Sequence, residues 1–363
     1  MDKAGDINNP APPSSPSPPS LLLSARPEPL EAPYPPGSLD GATVDHAALE
    51  DRYPVYAKFG QELGNTPLIE LPGPEGGATV LAKCEWENPA GSIKDRVAYA
   101  LLGSALQRHG DRPLDELRVL EYSGGNLANA LSHLCAELGI RSRFVLSSAS
   151  PRSLLDTLAG RGARVDLVDK ERGFLDVVRE ALRIAAEEPE WTLLYQHRNP
   201  ANVLLQERTT GAELAAQLGG RVPDAWVASI GTGGTLVGVL RALRARFPAV
   251  RAVGVTPAEL PYGSEQPPNG QRKYAGSGGM GHGIRQPFVT LHDDEVEHRT
   301  VTYPRAFAAM GEFHDLTGLR IGSSAAANWL AAKETAAALP PSATVVTVLP
   351  DAGTPEEWEQ LGR

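Results

Sequence analysis

The chain has almost no cysteine: Cys84 and Cys135 are the only two in 363 residues. They lie far apart, each within an apolar pattern. That argues against a disulfide framework and for a reducing cytoplasm, with both thiols buried and structural. Positive charge is in deficit as well. Thirty-four Lys and Arg against 44 Asp and Glu leave a formal net charge of −10, which argues against nucleic-acid or membrane-surface binding. No apolar run approaches the ~20 residues a membrane helix needs. Leu21-Leu-Leu23 is too short for a signal-peptide core, and acidic and proline-rich sequence precedes it. There is no internal repeat. No His/Cys cluster at metal spacing accompanies Asp293-Asp-Glu295, so that run reads as a solvated turn and no metal site is expected.

Proline is abundant where periodicity is missing. The first 36 residues hold 11 prolines, which remove backbone donors, so residues 1–45 read as an extended, disordered arm. Folded sequence is expected to begin within Ala47–Phe59. Beyond it, short apolar strands alternate with helical patterns: 79–84, 117–122, 143–146, 164–168, 225–230, 251–255 and 344–349. That alternation predicts an α/β fold of mostly parallel twisted sheets flanked by helices. A chain of this length can bury a large core or divide into two domains.

Three segments carry chemistry. In Asn88-Pro-Ala-Gly-Ser-Ile-Lys-Asp-Arg96, Lys94 follows a Pro/Gly turn and opens a helix whose stripe is Val97, Ala98, Leu101, Leu102 and Ala105. First-turn N–H groups and partial burial both disfavour the ammonium and favour the neutral amine that attacks an aldehyde. In Glu121-Tyr-Ser-Gly-Gly-Asn-Leu-Ala128, the glycines and Asn126 occupy a strand-to-helix turn suited to a carboxylate. In Gly231-Thr-Gly-Gly-Thr235, a glycine-rich loop joins the strand Ala225–Ile230 to a helix over 236–243 and suits a phosphate. Leu236 stands where a dinucleotide fingerprint needs its third glycine, and no Gly-Lys-Ser/Thr follows. A phosphate of neither class, beside a reactive lysine, points to pyridoxal phosphate.

With these motifs the chain resembles the fold-type II pyridoxal-phosphate-dependent enzymes (tryptophan synthase β-like), in the cysteine synthase and cystathionine β-synthase branch. Gly64-Asn-Thr-Pro-Leu68 is similar to the family's opening signature, and Asn88–Arg96 to its cofactor-lysine segment. Ser123–Ala128 lies where the family has Thr-Ser-Gly-Asn-Thr-Gly. Gln196-His-Arg-Asn-Pro-Ala-Asn202 and Thr209-Thr-Gly-Ala-Glu213 resemble Gln-Phe-Ser-Asn-Pro-Ala-Asn and Thr-Thr-Gly-Pro-Glu. Gly231–Thr235 matches the family's phosphate loop. Gly322-Ser-Ser-Ala-Ala326 and Leu349-Pro-Asp-Ala-Gly353 are similar to the pieces that close around the cofactor ring. Gly279-Met-Gly281 corresponds to a Gly-Ile-Gly loop, with Gly276-x-Gly278 as the competing alignment.

The resemblance implies two domains, a smaller one over 89–199 and a larger one combining 46–88 with 200–363, with pyridoxal 5'-phosphate in the cleft. It implies Lys94 as Schiff-base lysine and general base. Asn126, Gly231, Thr232, Gly233, Gly234, Thr235 and Ala352 would hold the cofactor. Ser123, Gly124, Gly125, Asn126, Gln196 and Gly279 would hold the substrate. The partners expected are a small amino-acid substrate and a small nucleophile, and the enzyme is expected to be a homodimer. The activity implied is β-replacement on an activated serine or cysteine-like amino acid through an aminoacrylate, giving cysteine or a β-substituted alanine. A β-eliminating lyase or dehydratase, and a non-catalytic cofactor-binding partner protein, are the alternatives.

Departures from the pattern bear on substrate choice. Gly124, Leu127 and Ala128 remove hydroxyls from the carboxylate loop, which suggests a donor other than O-acetylserine. Ala352 replaces a serine facing the pyridine nitrogen, leaving Thr354 or water as its partner. His197 and Arg198 replace Phe-Ser and add potential charge beside Gln196. His133 reads as a helix-surface residue, His282 lies near the expected pocket, and Arg152 and Arg285 read as surface ion pairs.

Overall fold

The computed structural model describes residues 27–40, 43–123, 125–264 and 277–363. Among them run ten strands: β1 Leu68–Leu71, β2 Thr79–Cys84, β3 Arg118–Tyr122, β4 Arg141–Ser147, β5 Arg164–Val168, β6 Thr192–Leu193, β7 Ala225–Ser229, β8 Arg251–Pro257, β9 Val296–Val301 and β10 Thr344–Leu349. A six-stranded sheet has the order β1-β2-β10-β7-β8-β9, and a four-stranded sheet the order β5-β4-β3-β6. Every pairing is parallel except the edge pair β1/β2. The fold is α/β, as the alternation predicts.

Strand composition explains the layering. β10 is buried at every residue, as a central parallel strand covered on both faces must be. Its odd residues Val345 and Leu349 join a core with the helices Tyr303–Thr317 and Ser323–Ala337. Its even residues Val346 and Val348 join a second core with the helix Gly234–Arg246. The smaller sheet repeats the device: Val119, Phe144 and Leu146 face one core, and Leu120, Tyr122 and Val145 face the other.

The structure differs from the sequence reading in three places. β1, β6 and β9 were not anticipated: two are edge strands of mixed polarity and one is two residues long. Residues 27–40 are not a free arm, because Leu30, Tyr34 and Leu39 are buried. Leu30 enters the core of the smaller sheet, while Tyr34 and Leu39 enter that of the larger. Residues 1–26 of the expected arm lie outside the described residues. The helices His46–Arg52 and Pro54–Glu62 were assigned to the larger domain, yet Leu49, Tyr53, Tyr56 and Phe59 pack in the smaller sheet's core with Tyr99 and Leu131.

The segments leaving the C-terminal ends of β2, β3, β6, β7, β8 and β10 all contain expected site residues. Open parallel sheets place ligand sites at such ends.

Candidate active site

Lys94 begins the helix Lys94–His109, and the residues around it are fixed by a buried ionic network. Arg96 reaches Glu85 through Nε at 2.7 Å and Nη2 at 3.0 Å, and Glu213 through Nη1 at 2.7 Å and Nη2 at 2.9 Å. Lys83 Nζ is 2.8 Å from Glu213 and donates to Thr66 O at 2.9 Å. Asn88 donates to Glu85 and accepts from Gly64 N at 3.0 Å. The motif residues Gly64, Thr66, Asn88, Arg96 and Glu213 are thus one structure that sets where Lys94 starts its helix. Charges this deep persist because each is paired. Desolvation draws the Lys94 amine down to about 8, and Asp351 opposes the shift. Ile93 N donates to Pro350 O at 2.9 Å, tying the lysine segment to the end of β10.

The turn after β3 carries the second group of expected site residues. Gly125 caps the helix Asn126–Leu138, and Ser123, Gly125 and Asn126 are each half-buried. Gly124 lies outside the described residues. Gln196 comes alongside: its Nε2 donates to Tyr122 O at 2.7 Å, and its backbone N–H donates to Glu121 Oε2 at 3.2 Å. Glu121 also accepts from Tyr122 N at 3.0 Å. Enclosure pushes its carboxyl up to about 8, so a mostly neutral acid clamps the two loops together.

The loop after β7 forms the third wall. Gly233 has φ +82°, and a Cβ there would lie 2.4 Å from Val289 Cγ2, so both backbone and packing favour glycine. The main chain then enters the 13-residue helix Gly234–Arg246, whose first N–H groups suit an anion. Thr232 Oγ1 accepts from Gly234 N and from Asn202 Nδ2, each at 3.1 Å. Asn202 Nδ2 also donates to Gln196 O at 2.9 Å, which connects the phosphate loop to the carboxylate side. Asn202 Oδ1 is buried without a protein partner. Gly279 and Gly281 lie against this loop: a Cβ added at Gly231 would come 3.6 Å from Gly279 O, and one added at Gly281 would come 2.1 Å from Ile230 O. Gly276 of the competing alignment lies outside the described residues.

The segment after β10 supplies a residue the sequence reading did not single out. Asp351 Oδ2 accepts from Asn126 Nδ2 at 2.8 Å, and Oδ1 accepts from Gly353 N at 2.9 Å. Burial raises its carboxyl above the usual range. An added Cβ at Gly322 would sit 2.0 Å from Asp351 Oδ1, so glycine there admits this side chain. Ala352 sits beside it, its carbonyl accepting from Trp358 Nε1 at 2.8 Å. Thr354, the alternative partner for the ring nitrogen, forms a capping box with Glu357 and so is engaged at a helix start.

The charge expected beside Gln196 is absent. His197 is buried, and desolvation pulls its imidazole down to about 3. Arg198 turns away: it pairs with Glu28, donates to Ala32 O at 2.7 Å and Pro33 O at 3.2 Å, and stands 5.3 Å from the Tyr34 ring centroid. His282 stacks on Phe174 at 4.1 Å. His133 is half-exposed near Phe59. Arg152 pairs with Asp156 and Arg285 with Asp293.

A lysine amine drawn down to about 8 and a glycine loop on a helix N-terminus, braced by Asn202 Nδ2, fit a phosphorylated aldehyde. Comparison with known proteins decides the family. A model described as pyridoxal-phosphate dependent enzyme matches residues 60–351. The chain belongs to that family. Within it the chain falls in the cysteine synthase group. A cysteine synthase of Staphylococcus aureus is 31% identical over 300 residues, 81% of this chain and 93% of the relative. The crystal structure of O-ureido-L-serine synthase matches with TM-score 0.73 and 26% identity, covering 83% of this chain and 92% of the other. That of the O-acetylserine dependent cystathionine beta-synthase from Helicobacter pylori matches with TM-score 0.71 and 27% identity, covering 81% and 94%. This is therefore a pyridoxal-phosphate-dependent enzyme.

Proposed function

We propose that the enzyme catalyses β-replacement on an activated serine or a cysteine-like amino acid, giving cysteine or a β-substituted alanine. The observation that supports this reading is Lys94, its amine drawn down to about 8, on a segment tied to the end of β10 by Ile93 N–H, where Asp351 accepts from Asn126 of the turn after β3. Pyridoxal phosphate, when bound, supplies an aldehyde for amines and an electron sink for the substrate Cα.

The chain's own residues do the rest. Lys94 would hold the cofactor, and its free amine would take the Cα proton as general base. Ser123, Gly125 and Gln196 anchor the substrate carboxylate. The loop Gly231–Thr235 holds the phosphate, with Asn202 bracing it. Asn126 orients the ring, and Asp351 fixes Asn126. Ala352 would offer no side-chain partner to a pyridine nitrogen beside it, and the bound group would then be a weaker electron sink, suited to departure of a group from Cβ. Gly279 lets its loop approach the phosphate side.

Rapid-scan absorbance of the holoenzyme with a panel of O-activated serines tests the reading. The expected result is a spectral change with amino acid alone that reverses when a nucleophile is added, with the β-substituted product found by mass spectrometry. Pyruvate and ammonia formed at rates no nucleophile diverts would establish elimination instead. A protein that stays colourless in excess pyridoxal phosphate would overturn the cofactor assignment in this chain.

A further inference from the structure

Two residues beside the proposed carboxylate site form a pair that the family pattern does not contain. Tyr122 ends β3 and directly precedes the turn at Ser123; His197 directly follows Gln196. The Tyr122 hydroxyl lies 2.7 Å from His197 Nδ1, and the two rings are near-parallel at 5.4 Å. Phe174 packs on both, at 6.0 and 5.7 Å, and stacks on His282 on its other side. Both members of the pair are buried. Family members carry an apolar phenylalanine where His197 stands, so a wall that is ordinarily hydrocarbon here holds a phenol and an imidazole.

The location restricts what this wall can meet. With the substrate carboxylate at Ser123–Asn126 and Gln196, and its amine at Lys94, the remaining substituent on Cα is the side chain. His197 is close enough to Lys94 to feel its charge, and it flanks the carboxylate anchor. Burial keeps the imidazole neutral, and the phenol likewise, so the pair offers hydrogen bonds without net charge. Resting on the reading of the site given above, we propose that Tyr122 and His197 are specificity-determining residues that select an uncharged, hydrogen-bonding β-substituent over an apolar one. Tyr122 fixes the His197 ring plane, and the imidazole edge meets the substituent. Phe174 and His282 hold the pair from behind.

The test uses two near-isosteric amino acids that lack a good leaving group, L-asparagine with an amide on Cβ and L-leucine with an isopropyl group. Their dissociation constants are read from perturbation of the cofactor's visible absorbance in the holoenzyme. Wild type is expected to favour asparagine. His197→Phe should lower the leucine-to-asparagine ratio of dissociation constants by about 2–10-fold, the equivalent of one neutral hydrogen bond. Tyr122→Phe should lower it in the same direction, and the double variant should lose no more than the larger single loss, because the two act as a unit. His197→Gln, whose amide reaches toward the Nε2 position left free by the Tyr122 bond, should retain part of the ratio. A merely structural role would weaken both ligands alike and leave the ratio fixed. No preference in wild type, or a ratio unmoved by both His197→Phe and Tyr122→Phe, overturns the proposal. If His197→Phe does not fold, Tyr122→Phe decides alone. If neither amino acid perturbs wild type while O-activated serines do, the selectivity claim fails and the catalytic reading stands. If no amino acid perturbs it, the site assignment itself has failed.

Discussion

The two ends of the site are built in different ways. The phosphate end is local: one strand, one five-residue loop and one helix, within Ala225–Arg246, braced by the distant side chain of Asn202. The substrate end is assembled from far apart. Tyr122 meets His197 across 75 residues, and Tyr195 reaches back 167 residues to donate to Glu28 O at 2.6 Å. A local device depends on backbone shape and tolerates little change in sequence. A long-range device depends on which side chains meet, and there a family can change chemistry while keeping its fold. This chain's departures at Gly124, Leu127, Ala128 and His197 accordingly fall on the substrate end, while Gly231–Thr235 matches the family's phosphate loop.

The largest effect is expected where the two ends share a residue. Lys94→Ala should lower turnover by about 10²–10⁴-fold, the usual contribution of a positioned base, and should weaken cofactor retention. Reduction of the wild-type holoenzyme with borohydride should fix the cofactor on Lys94, read by peptide mass spectrometry. The pH profile follows the amine: only the neutral form accepts a proton, so kcat should rise with pH through about 8 and level above it. A profile that falls across that range would remove Lys94 as base.

Next in size is the strap at residues 27–40. Leu30 is 1% exposed, inside the core behind Tyr122 and Tyr195. Leu30→Ala should destabilise the protein by about 2–5 kcal/mol, as buried leucine truncations do. If the substrate end is long-range in construction, the variant should also raise KM for the amino acid while leaving cofactor affinity in place. Equal losses at both ends would show that the strap serves stability alone and would break the comparison.

Legibility in the sequence follows the same division. Lys94, Gly231–Thr235 and the helix stripes could be read because glycine positions, turn chemistry and 3.6-residue periodicity are local signals. The strap could not. Its prolines and lack of periodicity match those of an unstructured arm, and the reason it is ordered lies at Arg198, whose charge takes up Glu28 and the carbonyls of Ala32 and Pro33. Asp351 lies within a family-like segment, Leu349–Gly353, but its own role has no local signal, because it depends on Asn126, 225 residues away. Glu121 reads in sequence as part of a strand. Only the packing of Gln196 against it shows a carboxyl pushed up to about 8. His197 was read as added charge because burial, which neutralises it, has no local signature.

That neutralisation gives a prediction in acid. The imidazole titrates near 6.5 unfolded and near 3 in the fold, so between those values the unfolded chain binds a proton that the native state refuses. Stability attributable to His197 is complete above about pH 6.5 and is lost as pH falls toward 3. The penalty should reach on the order of 3 kcal/mol at about pH 4. His197→Phe should remove that share, so denaturation midpoints of variant and wild type should converge, or cross in favour of the variant, on acidification. His46, drawn down to about 4 by burial, contributes acid sensitivity to both proteins and cancels in the difference. A gap that stays constant from neutral pH to pH 4 would mean that His197 titrates normally and that the substrate wall is wet.

The smallest effect tests the local end. Gly233→Ala places a methyl group in a left-handed backbone, at φ +82° and ψ −11°, which disfavours an L-residue by about 1–2 kcal/mol. The added carbon would also meet Val289 Cγ2 at 2.4 Å, so the loop must shift by part of an ångström. The first N–H groups of Gly234–Arg246 shift with it, and the phosphate loses its alignment with them. Cofactor affinity should fall by about tenfold, the equivalent of about 1.4 kcal/mol, measured by titration of the apoenzyme. A self-contained phosphate loop predicts more than a loss of affinity. At saturating cofactor, the asparagine-to-leucine preference of the Gly233→Ala holoenzyme should equal that of wild type, because Tyr122 and His197 are not part of the loop. Asn202 links the ends directly, bonding both Thr232 and Gln196. A changed preference would mean that the link transmits loop strain to the substrate wall, and the two ends would then have to be treated as one device.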